Sequence, residues 1–159
     1  MEGLFLNFIY SDMKYLKIFE GFDKDKFYQE ISYNDYMSLL GHEVIGDPRV
    51  YYGPSRIQMD WGLYRKCLSL FDSSRWSERG PYYLNKEDKE KQLEPYSLIV
   101  RNNINSIDIV ISVLDDEWFL VNVVDYGRGS MSSGPKESYW KCDQWDGLVK
   151  LLVDKGFIK

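Results

Sequence analysis

The sequence predicts an α+β fold: an antiparallel sheet of four to six strands, with two or three helices packed mainly on one face. Residues 107–113 place Ile or Val at every second position, which is typical of a half-buried strand. Residues 118–124 resume a strand-forming run after the acidic turn at residues 115–117. Two such runs joined by a short polar segment predict a β-hairpin. Residues 138–142 predict a further strand, which follows a Gly/Ser-rich loop.

A helix is predicted directly after this last strand. Asp143 is an N-cap residue type, because its carboxylate accepts hydrogen bonds from the free N–H groups of the first turn. Lys155 and Gly156 are typical of a helix end. One apolar stripe follows helical spacing: Trp145, Leu148, Val149 and Leu152. We expect this stripe to pack on the apolar face of the hairpin.

The N-terminal third repeats the order of strand, cap and helix. Residues 27–31 predict a strand, and Ser32 with Asp35 has the spacing of a capping box for a helix that Gly41 ends. Residues 4–10 are interpreted as a strand, with residues 1–12 as an N-terminal extension in the alternative interpretation.

The middle of the chain is less regular. Residues 42–55 contain Gly and Pro and predict a loop, and residues 55–71 predict a helix. Residues 72–81 are interpreted as a polar segment ending in Gly-Pro. Residues 85–94 are highly charged and predict either a short solvated helix or a mobile loop. With a further strand at residues 96–100, the 159 residues are interpreted as a single domain.

Two N-terminal stretches carry a resemblance. Residues 13–22 read Met-Lys-Tyr-Leu-Lys-Ile-Phe-Glu-Gly-Phe, and residues 27–32 read Phe-Tyr-Gln-Glu-Ile-Ser. Both are similar to the opening of small proteins of unknown function from large tailed phages. The resemblance covers only these stretches, and it implies a viral origin without implying an activity.

Composition restricts the classes of partner. The formal net charge of −5 disfavours duplex nucleic acid, since proteins that bind it usually carry a basic excess. Two cysteines far apart predict reduced thiols, and no apolar run approaches the roughly 20 residues that span a bilayer. We therefore expect a cytoplasmic protein, in the host cytoplasm if phage-encoded, with no membrane partner and no cofactor.

No group of residues predicts a catalytic centre. His42 is the single histidine and follows a helix-ending glycine, where polar residues are common. Cys67 and Cys142 lie in apolar segments and are expected in the core. The acids at residues 115–117, together with Asp125, have oxygen ligands suited to Mg²⁺ or Ca²⁺, but acidic hairpin tips need no metal. We expect neither a catalytic nor a metal-binding residue.

A Gly/Ser-rich loop at residues 126–136 is a candidate ligand site. Backbone N–H groups of such loops bind phosphate, and Arg128 and Lys136 add positive charge. The loop has no Gly-Lys-Ser/Thr ending and no helix directly after it, so a plain connection between strands is the competing interpretation.

Paired aromatic residues recur beside Gly-Pro breaks. Tyr, Trp and Arg are the residue types that dominate binding hot spots. We expect three groups to form one exposed patch: Arg49 with Tyr51 and Tyr52, Arg79 with Tyr82 and Tyr83, and Lys136 with Tyr139 and Trp140. The competing interpretation is that these rings pack on the edge of the core.

Three hypotheses for function follow. The first is a non-enzymatic binding protein that contacts a protein partner through the aromatic loops. The second is a protein that binds a small ligand or nucleotide through residues 126–136. The third is a metal-dependent enzyme that uses the acids between residues 115 and 125.

Overall fold

The computed structural model describes residues 27–40, 56–83, 86–91, 94–114, 118–127 and 134–159. The strands in these ranges are β1 Tyr28–Ile31, β2 Arg56–Ile57, β3 Trp76–Tyr82, β4 Ser97–Asn102, β5 Ile107–Leu114, β6 Trp118–Asp125 and β7 Lys136–Asp143. The helices are α1 Tyr33–Leu39, α2 Trp61–Leu68, α3 Lys86–Glu90 and α4 Gln144–Asp154. The strand predicted at residues 4–10 and the loop predicted at residues 42–55 lie outside the described residues.

The strands form one antiparallel sheet, which confirms the α+β prediction. Six of them lie in the order β1-β7-β6-β5-β4-β3. The short strand β2 pairs with the last two residues of β5, beyond the point where β4 pairs with that strand. Most neighbouring strands are also consecutive in the chain, so short connections build the sheet from β3 to β7.

Helices cover both faces of the sheet. Alternate residues of each strand point to opposite sides, so every strand supplies both faces. On one side, the α2/α4 face, helices α2 and α4 cover the larger core, which includes Ile109, Ile111 and Val121. On the other side, the α1 face, Tyr36 and Leu39 of α1 join Leu114, Leu120 and Tyr139 in a second cluster. Burying each of these large apolar side chains contributes roughly 1.5–3 kcal/mol.

Two helix ends behave as the sequence predicts. The Ser32 hydroxyl accepts the N–H of Asp35 at 3.1 Å and caps α1.

At the end of α4, Gly156 has φ +78°. The N–H of Phe157 bonds the carbonyl of Leu152 at 2.9 Å, and the N–H of Gly156 bonds that of Val153 at 3.0 Å. This is a Schellman motif, which requires a residue that tolerates positive φ at Gly156. Asp143 precedes α4 as predicted, but its side chain makes no capping hydrogen bond.

The helix predicted over residues 55–71 is wrong at its start. Residues 56 and 57 form β2, and α2 begins only at Trp61. Asp60 caps α2, because its Oδ1 accepts the N–H of Leu63 at 2.8 Å. The start of the helix was predicted at the end of the Gly- and Pro-containing loop, whereas the Asp60 cap marks it.

Most of the polar segment at residues 72–81 is strand β3, which contradicts the loop that we expected at its Gly-Pro break. Gly80 and Pro81 lie inside this strand rather than in a loop. The register shifts between Glu78 and Gly80, which places Arg79 in a β-bulge, and Gly80 has φ +115°. A proline and a bulge are tolerated there because β3 is an edge strand among the described strands, none of which pairs with the other side of its backbone. The charged segment at residues 85–94 contains a short helix, α3, as one of its two interpretations predicted.

Candidate functional site

The aromatic pair at Tyr139 and Trp140 is buried, which contradicts the exposed loop that we expected. Both residues lie in the middle of β7 and each is 9% exposed. As neighbours in a strand they point to opposite faces. Tyr139 packs on Tyr36 of α1 with ring centroids 4.8 Å apart, and Trp140 packs on Tyr28 at 5.8 Å. Burial raises the pKa of Tyr139 to about 12. Gly134 and Pro135 lie before the strand, so the loop ends ahead of Tyr139 and Trp140.

The group around Tyr82 lies at the far edge of the sheet. Tyr82 is 45% exposed at the end of β3, Arg79 is exposed in the bulge, and Tyr83 is partly buried. Three strands separate β3 from β7, so the two groups are about 19 Å apart at the usual strand spacing. The prediction that these two groups share one patch is therefore wrong. Arg49, Tyr51 and Tyr52 lie outside the described residues.

The ends of the Gly/Ser loop are described, but its centre with Arg128 is not. Gly127 and Gly134 have φ +66° and +69°, a conformation that favours glycine. The N–H of Gly127 donates to Asp125 Oδ1 at 2.9 Å, so this amide is occupied within the loop. Lys136 is exposed and pairs with Asp125 across the strands. A phosphate site in this loop stays a prediction.

The candidates for catalysis or metal binding gain no support from the described residues. Cys67 and Cys142 are free, fully buried thiols, as predicted. Burial raises the pKa of both, that of Cys67 to about 12, which suppresses the reactive thiolate. Within the described ranges no group of three or more acidic, His or Cys side chains is arranged to hold a metal ion. His42 and residues 115–117 lie outside those ranges.

A pocket that sequence reasoning missed lies on the α2/α4 face. It has a volume of about 380 Å³ and is bounded by α2, α4 and the ends of β5 and β6. We call it the α2–α4 pocket. Its lining residues are Asp60, Leu63, Lys66, Val113, Leu114, Phe119 and Trp145. Helix α2 packs on β4 while α4 packs on β6 and β7, so the ends of β5 and β6 lie between the two helices.

The apolar part of the pocket comes from the hairpin and α4. Val113 and Phe119 are cross-strand partners near the tip of the hairpin, and each is 4% exposed. Phe119 meets Trp145 of α4 edge-to-face, with ring centroids 6.3 Å apart. Trp145, which the sequence predicted in a buried stripe, is only half-buried, and part of its surface lines the pocket. The fully buried residues of α4 are Leu148, Leu151 and Leu152.

The charged part of the pocket comes from α2. Asp60, Leu63 and Lys66 follow one another at intervals of three residues, which places them along one side of the helix. Asp60 is held by its capping bond to Leu63. The Nζ of Lys66 lies 4.2 Å from the centroid of the Trp145 ring, in a cation–π contact. The pocket thus combines an apolar, aromatic lining with one acid and one base.

The α1 face carries a second unexpected feature, the buried side chain of Lys141. This residue lies in β7 and is 0% exposed. Its Nζ lies 4.2 Å from the centroid of the Trp118 ring. Desolvation lowers the pKa of Lys141 to about 7, although the negative charge of Asp143 opposes this shift. A buried amine of this kind is unusual, and we assign it no reaction.

The sequence contains a local signal for the α2–α4 pocket and another for the buried Lys141. Asp60 is an N-cap residue type, and Leu63 and Lys66 follow it at intervals of three residues. The helix predicted from residue 55 placed Asp60 inside the helix rather than at its start. Lys141 lies between Trp140 and Cys142 in an otherwise apolar strand segment. Neither signal says that the residues face a cavity or a second core.

Comparison of the chain with protein-family models, with curated proteins and with solved structures found no match. The similarity of residues 13–22 and 27–32 to phage proteins therefore stays a prediction. No helix in the described part of the chain has the length and the apolar composition needed to cross a membrane.

Proposed function

We propose that this chain is a non-enzymatic binding protein whose ligand is a small molecule held in the α2–α4 pocket. The observation that carries the proposal is the pocket itself. Its volume of about 380 Å³ falls in the range that proteins use for compact organic ligands. Its lining is mainly apolar and aromatic, with few polar groups, which is the usual composition of such sites.

The neighbouring packing supports a preformed site. Val113 and Phe119 belong to paired strands, and the backbone of β5 is bonded on both sides, to β6 and to β2. Asp60 and Trp145 each lie at the start of a helix that packs on the sheet. Because rigid elements supply the lining, a ligand need not order the pocket before it binds.

The test is a screen of apolar and aromatic compounds by thermal shift, followed by a pocket-filling variant. A compound present at 100 times its Kd stabilises the folded state by about 2.7 kcal/mol. For a chain of this size that raises Tm by roughly 5–10 °C. Val113→Phe places a ring in the pocket and should abolish the shift.

Val110→Phe is the matched control. Val110 lies on the same strand, three residues away, on the α1 face, and is only partly buried. Its variant should fold and should keep the ligand-induced shift. Leu63→Trp fills the pocket from the partly buried side of α2 and covers the case in which Val113→Phe does not fold. Equal shifts in the wild type and in both pocket variants would exclude the pocket as the binding site.

A second candidate function is binding of a protein partner at strand β3. It is favoured by the exposure of Tyr82 and Arg79 on the edge strand. Pro81 and the bulge interrupt the row of free N–H groups, so a partner would contact side chains rather than add a strand. Tyr82→Ala should then weaken partner binding by 1 kcal/mol or more, on the order of a hot-spot residue. Pull-down with the wild type and this variant tests it, and equal recovery of the same partner would contradict it.

A further inference from the structure

We infer that the ligand of the α2–α4 pocket is an apolar molecule with a carboxylate at one end, and that Lys66 recognises this carboxylate. The inference rests on the proposed function, since it names the ligand class of that same pocket. It is argued from the charges of the pocket, from their separation and from the contacts that each already makes.

The two charged residues that line the pocket are separated along helix α2. Asp60 caps α2 and Lys66 is six residues further along the same helix. At 1.5 Å of rise per residue, their backbones are separated by about 9 Å along the helix axis. A compact ligand with an apolar body therefore meets one charge at each end rather than both at the same point.

The end at Asp60 is already compensated. Its Oδ1 accepts the N–H of Leu63 at 2.8 Å, and the negative charge lies at the positive end of the helix macrodipole. An oxygen with a hydrogen bond in place gains less from a ligand than a group whose donors remain available.

The end at Lys66 has donors available for a ligand. Its ammonium group has three N–H donors. Its contact with the face of the Trp145 ring is electrostatic, and the ring offers these donors no lone-pair acceptor. No ion pair among the described residues involves Lys66. A carboxylate at this position would accept from Lys66 while the apolar body of the ligand lies against Phe119 and Val113.

The experiment uses three probes with a similar phenylalkyl body: 3-phenylpropionate, 3-phenylpropionamide and 3-phenylpropylamine. Binding to the full chain is followed by NMR through the indole N–H of Trp145, which a Trp145→Phe variant assigns. We expect the carboxylate to bind up to about fivefold more tightly than the amide, because Lys66 is exposed and an ion pair at an exposed site is weak. The amine should bind more weakly still.

Lys66→Met keeps an unbranched apolar stem of similar length and removes the ammonium group. This variant should lose the preference for the carboxylate. Arg65→Met is the matched control, because it changes the net charge equally in the same turn but Arg65 does not line the pocket. It should leave the preference unchanged. Equal loss of preference in both variants would mean that general charge, not Lys66, selects the carboxylate, and would overturn the inference.

The outcomes separate the inference from the proposal beneath it. If all three probes bind with similar affinity and Val113→Phe blocks them, the pocket is a ligand site but not a carboxylate site. If no probe binds at millimolar concentration, or if binding is unaffected by Val113→Phe and by Leu63→Trp, both the inference and the pocket proposal fail for this class of ligand.

Discussion

At the scale of single residues, the burial of Lys141 makes the stability of the fold depend on pH. Its position in β7 directs it to the α1 face, where it is fully buried beside the Trp118 ring. The cation–π contact offsets part of the cost of removing the ammonium group from water. Because desolvation still dominates, the pKa of Lys141 falls to about 7. The protonated form of Lys141 therefore destabilises the folded state relative to the unfolded state.

The pH dependence of unfolding tests this description. The unfolded pKa of lysine is about 10.4, above the folded pKa of about 7. Between these values the unfolded chain binds the proton and the folded chain does not, so the contribution of Lys141 to stability rises with pH across this window. Below the folded pKa its full cost is present. Urea unfolding of the wild type should show a steeper rise than Lys141→Met, by up to about 1.4 kcal/mol per pH unit.

The exposed Lys136 in the same strand provides the control for this prediction. Lys136→Met changes the net charge by the same amount and should leave the pH slope as in the wild type. Identical slopes in the wild type and in Lys141→Met would show that Lys141 is solvated in the folded protein.

At the scale of elements, the close approach of α4 to the segment before β1 is the most constrained contact. A Cβ added to Gly147 would collide with the backbone carbonyl oxygen of Phe27. That carbonyl accepts the N–H of Asp143 at 2.8 Å, so it is not free to move away. The hydroxyl of Tyr28 also donates to Asp154 at 2.6 Å and holds the far end of α4 to β1. Glycine is required at this crossing because of space and not because of its φ angle.

Gly147→Ala should destabilise the fold by roughly 1–3 kcal/mol, the usual cost of overpacking. This is opposite in sign to the gain of about 1 kcal/mol that alanine brings to a solvated helix position. Gly62→Ala is the matched substitution in α2, where the nearest atom is the side-chain oxygen of Asp60 at 3.0 Å. It should change stability by less than about 1 kcal/mol. Urea unfolding measures both variants, and a Gly147→Ala protein as stable as the wild type would disprove the close contact.

At the scale of the whole molecule, the sheet separates two cores and its central strands belong to both. Strand β5 contributes Ile109 and Ile111 to the α2/α4 face and Leu114 to the α1 face. On the α1 face Ser112 pairs with Ser97 through their hydroxyl groups at 2.7 Å, which satisfies two buried polar groups. Strands β1 and β3 lie at the edges, and the bulge interrupts the pairing of β3.

Hydrogen exchange should follow this arrangement. The amides of β5 and β6 are paired on both sides and buried on both faces, so we expect them to exchange only by global unfolding. The amides of β3 should exchange earlier, by local opening, because only β4 among the described strands pairs with β3 and the bulge weakens that pairing. Mass spectrometry of peptides from each strand measures the difference. Equal protection of β3 and β5 would indicate that the edge is covered.

Short-range patterns in the sequence predicted several of the strands and helices of this protein. The alternation of residues 107–113 predicted β5, the acidic turn predicted the hairpin with β6, and Ser32 predicted the cap of α1. These signals act over a few residues, through side-chain direction and through hydrogen bonds to the adjacent backbone. The errors arose where two local signals competed. The start of α2 was predicted at the end of the preceding loop rather than at the Asp60 cap, and Gly-Pro was expected in a loop where an edge strand accommodates it.

Which side chains share a surface depends on packing between elements that are far apart in the sequence. Tyr139 and Trp140 are adjacent in the sequence but lie in different cores, because a strand directs them to opposite faces and helices cover both faces. Lys66 and Trp145 are far apart in the sequence but lie in contact, because α2 and α4 pack on the same face of the sheet. The pocket between them depends on where two helices lie over the sheet. That position is set by packing over long sequence separations, which no local pattern encodes.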